Sequence, residues 1–236
     1  MAGLWLGVLG LWMAGVVAAA LYLVPVSVEG LGELARVIFF HVPTAWVAVI
    51  AFAVAAYHSW RYLRDRSADR DHRALAAVEL GLLFSVLATV TGALLARVTW
   101  GMYWNWDPRQ TSILFLLLIY AAYLSLRGVV RDNENQAMLA AVYACAAFVA
   151  VPFLVFVIPR MTASLHPQPV VNPAGRIYME RPMLAVLLAS LAGFTGLFAW
   201  LHSIRWRVAR LVAAHSRMLM EHDDPEGGAR GSGRAD

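Results

Sequence analysis

Residues 75–126 read LAAVELGLLFSVLATVTGALLARVTWGMYWNWDPRQTSILFLLLIYAAYLSL, two apolar runs joined by a short stretch crowded with tryptophan. The runs, 75–96 and 111–126, are long and do not alternate in polarity. A barrel strand would show only about ten residues of alternating character. A helix crossing a hydrocarbon core about 30 Å thick needs about 20 mostly apolar residues. Similar runs recur at about 3–24, 38–60, 137–158 and 183–201. Of the 236 residues, 61% are hydrophobic and 14% charged, against about a quarter charged in soluble domains. The reading is an all-α integral membrane protein with six transmembrane helices.

No basic residue precedes the first run, and its apolar length of about 22 residues exceeds the roughly 7–15 of a signal-peptide core. It is expected to be retained as the first helix. All 19 basic residues are arginine. With the N-terminus inside, the inner segments are 61–74, 127–136 and the C-terminal tail, and they hold thirteen of the arginines. The outer segments hold Arg36, Arg97, Arg109, Arg160, Arg176 and Arg181. This bias predicts an N-in, C-in topology, with the Trp-rich segment as an outer loop between helices three and four. The net charge of +4 therefore signals topology and not nucleic-acid binding.

Residues 1–205 are expected to form one membrane domain. Residues 206–220 read as a cytoplasmic basic helical extension, and 221–236, Gly-rich and charged, as a disordered tail. The segment RYLRDRSADRDHR, beginning at Arg61, reads as a solvated inner turn. Cys145 is the one cysteine; it forms no internal disulfide and is expected to be a small buried apolar residue. There is no G-x-x-x-x-G-K-[ST] phosphate loop, which assigns any ATP hydrolysis to another subunit. Helix interiors offer almost no ionisable group for an ion path. Glu79 reads as interfacial, about one turn from an inner helix end.

WGMYWNWDPRQT, residues 100–111, places Trp100, Tyr103, Trp104 and Trp106 beside Asp107 and Arg109. Asp107 followed by Pro108, with Gln110 three positions on, predicts an N-cap, a proline at the first helical position and a capping-box partner. Five of the seven histidines fall at inner positions. Only His41, in FFHVPTAW, and His166, in TASLHPQPVVNP, fall outside, on the same face as the Trp-rich loop. Two imidazoles are too few for zinc. They suit the two axial positions of haem iron, whose porphyrin stacks on aromatic rings and whose propionates need cations. Arg97 and Arg109 bracket the aromatic stretch as candidate cations. Pattern alone leaves open a belt of interfacial aromatics, the role expected of Trp5, Trp12, Trp46, Trp60, Trp200 and Trp206.

On these motifs, with HVPTAW at 41–46 and SLHP at 164–167, the chain resembles the tryptophan-rich haem-handling family of cytochrome c biogenesis, in its six-helix haem exporter C branch. The resemblance covers roughly residues 1–205. The family usually has Trp where Tyr103 stands, and the change keeps a flat ring. The resemblance implies a non-enzymatic inner-membrane protein holding haem b, non-covalently and transiently, at the periplasmic face. His41 and His166 would be the axial ligands, and Trp100, Gly101, Tyr103, Trp104, Trp106, Asp107, Arg97 and Arg109 the haem platform. Implied partners are a periplasmic haem chaperone, an ATP-binding subunit with its membrane partner, and a small single-helix subunit. A haem permease is the competing reading; the polar-poor helices offer a dianionic porphyrin no path. A haem lyase acting on apocytochrome is disfavoured, since such relatives are larger and carry more histidines.

Overall fold

A computed structural model describes residues 2–24, 32–130, 135–166 and 179–223. Six helices are long and apolar enough to cross a membrane. α1, Ala2–Ala18, continues through a π-helical turn, Ala19–Leu23. A 3-10 segment, Gly32–Val37, leads into α2, Ile38–Asp65. α3 is Ala68–Trp100 and α4 is Pro108–Val129. α5, Gln136–Pro152, passes through a π turn, Phe153–Val157, to a last helical turn, Ile158–Met161. α6 is Arg181–Asp223 and runs without interruption through the 206–220 stretch. No strand occurs among the described residues. Arg131, Arg176, Arg230, Arg234 and the chain beyond Asp223 lie outside them.

α2 is central, packed against α3, α5 and α6, while α1 leans on α6 and α4 on α5 and α3. Phe52 of α2 and Tyr120 of α4 stack with ring centroids 3.6 Å apart and planes 10° from parallel. Around them Val47, Val78, Phe84, Leu116 and Tyr123 are buried. Leu83, Val86, Leu87, Val90, Leu94 and Val98 of α3 are exposed. Apolar surface outward and close packing inward suit helices surrounded by lipid, where packing and interhelical hydrogen bonds hold helices together.

The polar links between helices correct several expectations. The segment 61–74 is not a loop: α2 runs to Asp65 and α3 starts at Ala68. The turn is confined to Arg66, left-handed at φ 52°, and Ser67. Its charges are absorbed by local pairs, Arg73 to Asp69 at 2.8 Å and Arg70 to Asp65 at 3.6 Å, so both helices extend. Glu79, in the fourth helical turn of α3, is ion-paired to Arg205 of α6 at 2.6 Å. A carboxylate placed that far along the helix needs a cation beside it. Trp12 and Trp206 do more than sit at an interface. The Trp12 indole N–H donates to the Ala189 carbonyl and that of Trp206 to Asp69, each at 2.8 Å. Cys145 is half-buried, its thiol 3.8 Å from the Ala56 carbonyl.

At one end of the bundle, Arg127 of α4 grips Asp71 of α3 through two bonds of 2.5 and 2.8 Å. His58 and His202 lie at the same end, stacked 6.1 Å apart. His41, the 101–107 segment and His166 gather at the opposite end. At that end Arg36 holds the last carbonyls of the first span, donating to Ala20 at 2.6 Å and Val24 at 3.1 Å.

Candidate functional site

α3 stops at Trp100 because Gly101 takes the left-handed conformation at φ 78°, its N–H returning to the Arg97 carbonyl; glycine adopts this C-terminal geometry without steric cost. The Arg97 guanidinium donates to the Gly101 carbonyl and lies over the Tyr103 ring at 5.8 Å, so it is engaged in shaping the turn. The chain re-enters helix at Pro108. Asp107 is the N-cap, its side chain accepting from the Arg109 N–H at 2.9 Å. Gln110 does not close the expected capping box. Its Oε1 accepts from the Asn105 N–H at 3.0 Å, and its Nε2 donates to the Tyr103 carbonyl at 3.3 Å. The Asp107 N–H turns instead to Asn105 Oδ1 at 3.3 Å. Gln110 thus clamps the loop from inside, which closing a local box would not do.

The clamp holds Trp106 at φ 59°, a conformation costing of order 1–3 kcal/mol for a residue other than glycine. The Thr111 hydroxyl, donating to the Trp106 carbonyl at 3.2 Å, helps to fix it. Trp104 and Trp106 meet edge to face at 5.8 Å and 90°. Trp106 and Tyr103 are 68% and 57% exposed, so both lie at the surface of the loop. Trp100 packs edge-on against the His166 ring at 4.9 Å.

Asp107 is the hub of the site. Besides capping α4, it accepts from Ser164 Oγ at 2.9 and 3.1 Å, from the Leu165 N–H at 2.7 Å and from His166 Nδ1 at 2.8 Å. The Ser164 hydroxyl also accepts from the His166 N–H at 3.1 Å. Burial raises the Asp107 pKa, but the donated bonds outweigh it and hold the carboxyl below its ordinary value. For His166, burial and the positive charge of Arg109 outweigh the pull of Asp107 and lower its pKa. The pair is therefore a neutral imidazole donating its Nδ1 proton to an ionised carboxylate. Nε2 is left unprotonated.

His41 reaches the same state by another route. It stands in the first turn of α2, with Nδ1 3.0 Å from Thr91 Oγ1 of α3. The Thr91 hydroxyl spends its one proton on the Leu87 carbonyl at 2.7 Å. It can only accept from His41, which puts the imidazole proton on Nδ1 and leaves Nε2 bare. Gly92 makes room: a Cβ there would lie 2.8 Å from His41 Cε1. His166 and Arg109 both lie within electrostatic reach of His41.

The site thus offers two fixed, neutral imidazoles with unprotonated Nε2 atoms, an exposed aromatic loop, and a cation at Arg109. Among the described residues no group of three or more His, Cys, Asp or Glu gathers to hold a metal ion. This donor set suits an iron whose equatorial positions are already filled, as in a porphyrin.

A family model described as CcmC, heme exporter protein C, matches residues 2–221. The chain belongs to that family. A heme exporter protein C of Bradyrhizobium diazoefficiens is 34% identical over 171 residues, covering 72% of this chain and 65% of the relative. This chain therefore spans just under two thirds of that relative's length. Proteins of the same description from Paracoccus denitrificans and Rhodobacter capsulatus are 30% and 29% identical over 193 and 203 residues. These matches cover 79% and 84% of this chain, and 80% and 84% of the relatives.

Thr91, Gly92 and Ser164 escape sequence reading. Thr91 and His41 are 50 positions apart, and Asp107 and His166 are 59 apart, so no local spacing links them. The one local signal is Ser164, two residues before His166.

Proposed function

We propose that this protein takes part in haem delivery for cytochrome c maturation, binding haem b at its periplasmic face between His41 and His166. It presents the haem to a periplasmic haem chaperone. The observation that carries the reading is the matched state of the two histidines, each with its Nδ1 proton committed and its Nε2 unprotonated. Metal-ligating histidines are held in this way, with the second ring nitrogen bonded to a carboxylate, carbonyl or water. Trp100, Gly101, Tyr103, Trp104 and Trp106 supply the surface against which the porphyrin lies. Arg109 is the cation for a propionate, and Arg97 supports the turn from below. An ATP-binding subunit with its membrane partner, and a small single-helix subunit, complete the assembly in the bacterial inner membrane.

The test is spectroscopic. Protein purified with haem, without imidazole, is expected to give a low-spin bis-histidine absorbance spectrum. His41→Ala and His166→Ala each change it, while His58→Ala and His202→Ala, at the opposite end of the bundle, leave it unaltered. Unchanged spectra in both of the first two variants remove the ligand assignment.

Orientation follows from the arginine bias. A reporter fused after Arg66 is expected in the cytoplasm and one inserted near Pro173 in the periplasm. Both reporters on one side of the membrane would refute the six-span topology.

A further inference from the structure

The two candidate ligands are held by unlike acceptors. His166 donates to a carboxylate, Asp107, whose side chain is 1% exposed. Among the described residues, the only ion-pair partner of that carboxylate is His166 itself. A hydrogen bond to an ionised acceptor is roughly twice as strong as one between neutral groups. An anion behind an imidazole also raises the basicity of the nitrogen that faces the metal. His41 donates to a neutral hydroxyl, Thr91, at 3.0 Å. Its Nε2 is the weaker donor of the pair.

The mounts differ in the same sense. The His41 ring is built into α2 against Gly92 of α3, with its own carbonyl accepting from Thr44 Oγ1 at 2.7 Å. Its backbone cannot follow a departing iron unless α2 shifts against α3. His166 stands beyond Met161, the last helical residue of α5, and reaches α4 through Asp107. Its backbone lies outside a helix and is tied to α4 by the bonds of Ser164, Leu165 and His166 to that carboxylate.

We infer that His166 is the retained ligand and His41 the one that yields when haem is handed on, so that the acceptor approaches the face of the iron that His41 vacates. This rests on the haem-binding reading proposed above, and Asp107 and Thr91 act as positioning residues through the two histidines.

Full-length protein loaded with ferric haem in detergent, free of imidazole, provides the test, with cyanide as the probe of an opened iron position. His41→Ala is expected to keep haem and to bind cyanide at least tenfold faster than the parent protein. His166→Ala should retain haem at least tenfold less well. In reduced His41→Ala protein, the iron–histidine stretch seen by resonance Raman should sit at the high-frequency end set by a carboxylate partner. Adding Asp107→Asn, which keeps a hydrogen-bond acceptor and the cap, should lower it; a purely structural Asp107 would leave it unmoved. Thr91→Val, which keeps both histidines, should speed cyanide entry. Equal haem loss from the two alanine variants, the reverse order, or an Asp107→Asn frequency that stays put would overturn the inference. A parent protein without a bis-histidine spectrum would overturn the site reading itself, and the ligand order with it.

Discussion

Replacing Asp107 with Ala is expected to lower haem retention by about 10–100-fold, the range seen when the partner behind a metal-ligating histidine is removed. The change acts at two places. It frees His166 Nδ1 and the chain at Ser164 and Leu165, which bind the same carboxylate, and it uncaps α4 at the Arg109 N–H. Loss of a cap costs about 1 kcal/mol, small against the stability of a six-helix bundle. Folded protein should therefore be recovered in ordinary amounts. Haem titration of matched folded samples checks the expectation, and affinity within twofold of the parent would show that Asp107 only caps the helix.

The pH dependence gives a sharper reading of the same residue. In the proposed site the neutral imidazole is the form that would ligate, and the His166 pKa lies below its ordinary value of 6.5. Haem binding should accordingly hold steady as pH falls through the usual histidine range, and fail only as pH drops through the lowered pKa. Asp107 raises the His166 pKa both through its charge and through its hydrogen bond. Asp107→Asn removes the charge, so the acid limb of the binding curve should move to lower pH while affinity at neutral pH falls. A limb moving to higher pH would contradict the neutral-imidazole assignment.

The six spans were readable because each is a long run of apolar residues, a signal that needs no knowledge of neighbours. The gathering of His41, His166 and the Trp-rich loop at one end followed from counting spans. What escaped were contacts made across helices. Gln110 sits where a capping-box glutamine would sit, yet it binds Asn105 and Tyr103 because the left-handed turn at Trp106 brings those backbone groups within reach. The charged run after Arg61 looked like a loop because helix continuation there depends on Arg73 and Arg70 finding Asp69 and Asp65. Trp206 looked like a belt residue. The Arg73 guanidinium, 3.6 Å over its ring, and Asp69 at its indole N–H place it between α3 and α6.

Simultaneous replacement of Trp100, Trp104 and Trp106 by Leu should weaken haem retention more than tenfold and, on the proposed function, block loading of the chaperone. An aromatic contact contributes about 0.5–1.5 kcal/mol beyond its burial, and about 1.4 kcal/mol corresponds to one decade of affinity. The three rings should not contribute alike. Trp106 is 68% exposed and presents its surface outward, so Trp106→Leu alone should reduce haem retention with little effect on stability. Trp100 lies edge-on to His166 at 4.9 Å, so Trp100→Leu should also perturb the spectrum of the bound haem. Arg109→Gln should act more mildly, since it removes one charge-assisted contact that adjacent solvent partly screens. Haem occupancy and chaperone loading, compared in equal amounts of membrane-inserted protein, separate the alternatives. Full loading by the triple variant would mean that the rings anchor the loop in the lipid interface and do not hold the porphyrin.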